Sequence, residues 1–318
     1  MTTGTAVLGT VRAMACDVAV HAPDSPDGSD VDRETAAGNA LQVFRSVHRT
    51  CTRFDAGSPL ARANAAPDRW HRVPALLVDA VREAHAAYVR TRGSFDPRVL
   101  GDLERLGYDR SFPFADGPVV TVGGDGTRRA RGRWRPRFRG GALPELHLGG
   151  CPVDLGGIGK GLALRWAGER LADIADTFLL DAGGDCVCRG AGPGGDGWSV
   201  GVENPSGTGE PVAVLSLTDR AVATSSTRLR RWTAGGAPVH HLIDPRTGRP
   251  GGTGLAAVTV VAGDPARAEV VTKSLFLLGA HGIASAARHR SVAALWVDED
   301  GSVATSGRMD RYVTWRAA

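Results

Sequence analysis

No stretch of the chain is long or apolar enough to span a membrane. No basic region followed by an apolar core opens it, so no signal-peptide pattern is present and the expected compartment is the cytoplasm. Cysteine is scarce: Cys16, Cys51, Cys151, Cys186 and Cys188. An odd count without metal-type spacing argues against a disulfide framework and for buried thiols in a reducing compartment. Cys186 and Cys188 have one residue between them, which suits neither zinc nor a redox pair. No internal repeat is evident. The formal net charge is only +4, which is compatible with a phosphorylated ligand without demanding nucleic acid. The G-x-x-x-x-G-K-[ST] phosphate loop is missing, and the glycine-rich stretch around Lys160 does not fit G-x-G-x-x-G either. What is present is the composition of a globular protein, 42% hydrophobic and 23% charged, in 318 residues, ample length for a core.

The most informative stretch is Val153-Asp154-Leu155-Gly156-Gly157-Ile158-Gly159-Lys160-Gly161. An apolar strand end meets an acid, then small residues and a lysine. Leu164, Ala167, Leu171 and Ile174 follow at helical spacing, so the stretch reads as strand, glycine turn, helix. Glycines admit a ligand close to the backbone, a helix N-terminus favours anions, and Lys160 adds a point charge. The same residues also fit a tight turn with a surface lysine.

Residues 11–21 end in strand-like alternation, and Pro23 to Asp32 read as a loop. Helices are expected over Glu34 to Arg49, from Ser58 to near Asn64, and over Ala75 to Arg92, where Gly93 stops the last. Ser94-Phe95-Asp96 follows as a pocket wall or an ordinary cap and turn. Residues 111–150 read as an irregular insertion rich in arginine: Arg128, Arg129, Arg131, Arg133, Arg135, Arg137 and Arg139. With only Trp134 and Phe138 as aromatics near these arginines and no RNA-binding motif, it is expected to be a solvated hairpin rim. Thr177 to Leu180 reads as a buried strand ending at Asp181-Ala182-Gly183-Gly184-Asp185, where Asp185 holds a ribose hydroxyl or caps a turn. The remaining half is strand-rich and antiparallel in pattern, with a helix over Ala268 to Gly279 and a last strand over Val292 to Val297. His240 and His241 are adjacent beside a strand, so they point to opposite faces. At most one enters a given site, and a general base is favoured over a dinuclear metal centre.

These pieces, in order, resemble the FAD:protein FMN transferases of the ApbE family. The most specific are Asp154 to Gly161, Asp181 to Asp185, and His241-Leu242-Ile243-Asp244-Pro245-Arg246-Thr247-Gly248-Arg249-Pro250. Softer ones are Ala13-Met14, Arg53 to Asn64, Gly93 to Pro97, Thr224-Ser225 and Ala268 to Gly279. The resemblance covers almost the whole chain, from about Val11. It implies a single α+β, T-fold-like domain over residues 1–318, with mainly antiparallel sheets and packed helices. It further implies FAD as the ligand, magnesium-dependent cleavage of its pyrophosphate, and transfer of FMN to a Thr or Ser hydroxyl in a motif of an acceptor protein, with AMP released. By the same resemblance His241 is the base. Met14, Phe54, Ser94, Phe95, Asp96, Asp154, Lys160 and either Leu242 or Ile243 contact FAD. Gly157, through its carbonyl, and Glu269 bind the metal. Ser58 and Asn64 read as fold determinants.

One departure stands out. The family's metal-binding helix carries Asp and Thr where this chain has Glu269 and Lys273. A carboxylate still suits a hard cation, but an ammonium only donates. A divalent ion ~4 Å from that ammonium is opposed by roughly 8 kcal/mol at an effective dielectric of ~20. Glu269 and Lys273 are spaced i,i+4 with the acid first, the favourable orientation for a pair. Lys273 is therefore expected to take part of the cation's place and contact the pyrophosphate. Thr272, about 100° round the helix, is a poor substitute ligand. Two other activities compete with transfer: FAD binding without chemistry, as a flavin carrier, and hydrolysis of FAD to FMN and AMP. No nucleic acid partner is expected.

Overall fold

A computed structural model of the chain describes residues 4–24, 31–111, 132–173 and 175–317. Arg128, Arg129, Arg131, Ile174 and part of the expected loop before Asp32 lie outside the described residues.

The chain opens with β1 (Thr5–Ala13) and β2 (Cys16–Pro23), a hairpin closed by Met14 and Ala15. Then come α1 (Val31–Cys51), α2 (Pro59–Ala65), β3 (His71–Arg72), α3 (Ala75–Arg90) and α4 (Leu100–Arg105). Next are β4 (Arg137–Arg139), β5 (Glu145–His147) and α5 (Gly159–Ala172). Five strands follow: β6 (Phe178–Ala182), β7 (Asp185–Arg189), β8 (Trp198–Val202), β9 (Ala213–Leu217) and β10 (Arg220–Ser226). Two hairpins come after them, β11 (Arg231–Ala234) with β12 (Ala237–His240) and β13 (Ile243–Asp244) with β14 (Arg249–Pro250). The chain ends with β15 (Leu255–Ala262), α6 (Pro265–Phe276), α7 (Gly279–His289), β16 (Ala293–Asp298), β17 (Val303–Thr305) and β18 (Val313–Arg316). Contacts divide it into two compact units, one of residues 1–46, 160–228 and 253–318, the other of 47–159 and 229–252.

The first unit holds an eight-stranded sheet in the order β1-β2-β6-β7-β10-β15-β16-β17. Every neighbouring pair in it is antiparallel. α6 lies against β10 and β15. A three-stranded sheet, β18-β9-β8, packs its apolar positions on the other strands. Period-two alternation makes this possible: Trp198, Val200 and Val202 are buried while Ser199 and Gly201 are exposed. Cys186 and Cys188 are buried in this core, as expected of thiols that pack rather than react. Burial holds the Cys188 thiol at about 12.

The second unit contains α3, whose buried face is Leu77, Val78, Ala80, Val81, Ala84 and Ala87. Its helix ends two residues earlier than expected, because Arg92 and Gly93 both turn left-handed and Gly93 donates back to the Tyr88 carbonyl at 2.9 Å. The region expected to be irregular contributes β4 and β5, which pair with the earlier β3 in a sheet of order β3-β5-β4. Trp134 is a core residue whose indole N–H donates to the Leu148 carbonyl at 2.8 Å. Arg133, Arg135, Arg137 and Arg139 are exposed, which is the solvated rim.

The last helical region was expected as one helix over Ala268 to Gly279 but forms two. Asp264 caps α6 by accepting the Arg267 N–H at 2.7 Å, and Pro265 occupies the first turn, so α6 begins earlier. Gly279 opens α7 instead of merely ending α6.

Candidate active site

In the first unit the site is built where β7, β10, α5 and α6 present charged side chains. The turn before β7 needs Gly183: its φ is +64°, and a Cβ there would lie 2.7 Å from the Cys16 Cβ. It delivers Asp185, a buried carboxylate with two partners. One oxygen accepts the Thr224 N–H at 2.9 Å, and the other meets the Lys160 ammonium at 2.5 Å. Asp185 is thus held to a strand and a lysine, which neither expectation for it anticipated.

Lys160 and Gly161 lie in the first turn of α5. Gly161 is needed because α6 passes close: a Cβ would stand 2.5 Å from the Ala266 Cα. That proximity lets the Gly161 N–H, one of the helix's unsatisfied donors, reach Glu269 Oε2 at 2.8 Å. Lys273 Nζ lies 3.3 Å from the other oxygen, Oε1. Asp185, Lys160, Glu269 and Lys273 therefore alternate in charge. Burial alone would depress Lys160, but the charges of Asp185 and Glu269 outweigh it and its pKa is raised above 10.5. Thr272 is fully buried, bonded to Ser225 Oγ at 2.7 Å and to the Glu269 carbonyl at 2.8 Å.

This donor set does not fit a magnesium ion. The Glu269 side chain is 2% exposed and both oxygens are engaged, one by an amide and one by an ammonium. The Thr272 hydroxyl is committed to Ser225. Among the described residues no group of three His, Cys, Asp or Glu side chains is arranged to hold a metal.

In the second unit Asp154 is the organising acid. Asn64 fixes its approach, receiving the Val153 N–H and donating to the Val153 carbonyl, both at 2.9 Å. Asp154 Oδ1 accepts the Gly156 N–H at 2.6 Å and Oδ2 accepts from Arg53 Nε at 2.5 Å. The turn containing Gly157 follows. Arg53 also donates to the Tyr108 carbonyl at 2.6 Å, and its guanidinium covers the rings of Phe54 and Tyr108 at 4.2 and 4.7 Å. Phe54, Tyr108 and Trp232 form a row with centroids 5.6 and 5.5 Å apart. Ile243 packs in the same cluster, and Phe54 ends the row 39% exposed. The sequence names Arg53 only as the start of the Arg53 to Asn64 motif, without a site role, and it does not single out Tyr108 or Trp232.

The Ser94-Phe95-Asp96 wall is internal support. Ser94 Oγ donates to the Thr91 carbonyl at 2.7 Å, and Phe95 is buried. Asp96 takes a forked pair of bonds from the Arg98 guanidinium, at 2.7 Å for the closer arm. Burial opposes the Arg98 charge, but Asp96 outweighs it and raises the pKa. Ser58 caps α2 by accepting the Ala61 N–H at 3.0 Å, so it and Asn64 do act on the fold.

His241 has Nδ1 3.3 Å from the Arg230 carbonyl. A carbonyl only accepts, so Nδ1 is the donor in this contact. His240 is different in kind: its Nδ1 accepts the Leu242 N–H at 3.2 Å, and burial lowers its pKa below 6.5.

A sequence profile described as the ApbE family matches residues 13–296. Curated relatives described as FAD:protein FMN transferases include one from Treponema pallidum, 33% identical over 179 residues, which cover 52% of this chain and 49% of that protein. Another, from Rhodobacter capsulatus, is 29% identical over 294 residues, 87% of this chain and 54% of that protein. The chain spans about half the length of the curated relatives it matches. A crystal structure of the ApbE protein of Thermotoga maritima superposes with a TM-score of 0.80 at 23% identity, covering 97% of this chain and 99% of that one. The apo flavinyl transferase ApbE of Pseudomonas stutzeri does so with a TM-score of 0.75 at 18% identity, covering 98% and 99%. These superpositions establish the shared fold, α+β with mainly antiparallel sheets. No helix among the described residues is long and apolar enough to cross a membrane.

Proposed function

The chain belongs to the ApbE family, and from that premise we propose that it cleaves FAD and transfers the FMN half to a Thr or Ser hydroxyl of an acceptor protein, releasing AMP. The observation that carries this reading is the contact of His241 Nδ1 with the Arg230 carbonyl at 3.3 Å, which orients the ring so that, when neutral, it carries its lone pair on Nε2. A pure binder has no need of a base so oriented. In the proposed reaction Nε2 takes the acceptor hydroxyl's proton, the oxygen forms a bond to the FMN phosphorus, and the bridging P–O bond breaks as AMP leaves. The exposed end of the Phe54-Tyr108-Trp232 row is suited to a flat ring. Met14, Asp154, Ile243 and the Ser94-Phe95-Asp96 segment are proposed to shape the FAD site, Asp154 through Arg53 and Asp96 through Arg98.

Magnesium has no step in this proposal. Lys273, whose side chain is 17% exposed beside Glu269, is proposed to contact the pyrophosphate directly, with Lys160 as a second cation. The same ammonium favours a second reading, FAD binding without transfer, because one ammonium stabilises less developing charge than a divalent ion. The test is incubation with FAD and a threonine-bearing acceptor peptide, with magnesium or with EDTA. A gain of one FMN mass on the peptide in EDTA, with AMP released, is expected. FAD retained with no AMP supports a carrier. FMN and AMP released with no gain on the peptide supports a hydrolase. Transfer that occurs only with magnesium removes Lys273 from the proposed role.

A further inference from the structure

Away from these residues, the first unit has a cleft of about 320 Å³ with four arginines in its lining: Arg220, Arg267, Arg308 and Arg311. They come from three separated segments: the start of β10, the first turn of α6, and the residues that follow β17. No Asp or Glu lines the cleft. The acids nearest in sequence have other partners. Asp219 accepts the Gly190 N–H at 3.0 Å, Asp264 pairs with Arg165 at 2.6 Å, and Asp310 accepts from Thr305 Oγ1 at 2.7 Å.

Two of the cations are brought together on one atom. Arg220 Nε and an Arg311 terminal nitrogen both donate to the Tyr312 hydroxyl oxygen, at 3.1 and 2.8 Å. The Arg311 guanidinium also covers the Tyr312 ring at 4.7 Å. Like charges held across one neutral oxygen repel, and an anion between them relieves that repulsion. With both guanidiniums donating to it, the phenol keeps its own O–H as a further donor. The half-buried Val271 and Val292 supply an apolar wall to the same cleft.

We propose that this cleft binds a small oligophosphate, with two or more phosphate groups spread over the four guanidiniums. Guanidinium forks match phosphate oxygens in pairs. The volume exceeds the needs of a single phosphate and lies at the lower end for small-molecule sites. The ligand is either a free inorganic oligophosphate or the phosphate tail of a nucleotide, whose base would lie on the valine wall.

The experiment is calorimetric titration of FAD-saturated protein with inorganic tripolyphosphate and, separately, with ADP, so that the flavin site is already filled. Binding of at least one, weakened tenfold or more by Arg308→Glu, is expected. Arg308 is exposed and makes no ion pair among the described residues, so a thermal melt should show this variant folded. Arg267→Gln provides a second, milder change and should weaken binding two- to fivefold. Tripolyphosphate binding assigns the free anion; binding of ADP alone assigns the nucleotide. No binding of either at 1 mM, or affinity unchanged in both variants, overturns the proposal.

Discussion

Met14 and Ala15 sit side by side in left-handed backbone conformations, with φ of 55° and 61°, at the tip of the β1–β2 hairpin. Two-residue turns of this kind normally use Asn and Gly, because L side chains pay about 1–2 kcal/mol per residue in that region. Ala15→Gly should therefore raise stability by about 0.5–1 kcal/mol, the relief exceeding the extra chain entropy of glycine. Met14→Gly should relieve strain similarly. If the Met14 side chain contacts FAD, that variant gains stability yet binds FAD more weakly, while Ala15→Gly leaves binding unchanged. Equal FAD affinity in the two variants would remove Met14 from the site.

Lys160 and Asp185 make a second testable pair. Their side chains are 19% and 4% exposed. Lys160→Met leaves a buried carboxylate without its charge partner and should cost roughly 3–5 kcal/mol. Adding Asp185→Asn should recover part of the loss. The native lysine pKa is raised above 10.5. Its contribution is thus fully present below pH 10.5 and declines as pH rises through the native value. Urea midpoints at pH 8, 10 and 11 should fall for the wild type over the last interval, and less for Lys160→Met.

Much of this arrangement was legible in the sequence, and the unread parts share a cause. The turn and helix of Asp154 to Gly161 were legible because the hydrophobic period changes within a few residues, but the expected strand end at Val153 is irregular chain whose N–H and carbonyl bond to the Asn64 side chain instead. The β8 and β9 strands announce themselves by alternation. The pairing of Lys160 with Asp185 does not, since each residue separately satisfies a simpler expectation, phosphate binding or a turn cap. Partnerships across 25 positions carry no local pattern. The same holds for Arg53 with Asp154, 101 positions apart. The early start of α6 was legible in principle: Asp264 and Pro265 form a start signal, but Ala268 drew attention as the beginning of the family-like segment.

Arg53 binds four things at once: Asp154, the Tyr108 carbonyl, and the faces of Phe54 and Tyr108. Lysine keeps the charge but loses the planar fork and the stacking. Arg53→Lys should lower stability by about 1–3 kcal/mol, the range for a lost bond to a charged group. It should also loosen Phe54, seen as greater ring motion in NMR relaxation of a labelled phenylalanine. Phe54→Ala, an exposed ring, should cost little stability and weaken FAD binding at least fivefold. Unchanged affinity would dismiss the aromatic row as a flavin platform.

The two adjacent histidines should separate cleanly by what they do to stability and to turnover. Burial lowers the native pKa of His240 from its ordinary 6.5, only partly opposed by a backbone bond near Gly251. The unfolded chain therefore binds a proton first as pH falls, and stability is lost from about pH 6.5 downward to the native value. His240→Asn keeps an acceptor near the Leu242 N–H while removing the titration. Its urea midpoint should change less between pH 7.5 and 5.5 than that of the wild type. His241→Asn should leave that acid dependence of stability intact but reduce transfer by 10²–10⁴-fold, the range for loss of a general base. A His240→Asn enzyme that loses turnover while His241→Asn keeps it would exchange the roles, and the orientation of the His241 ring toward Arg230 would then be only structural.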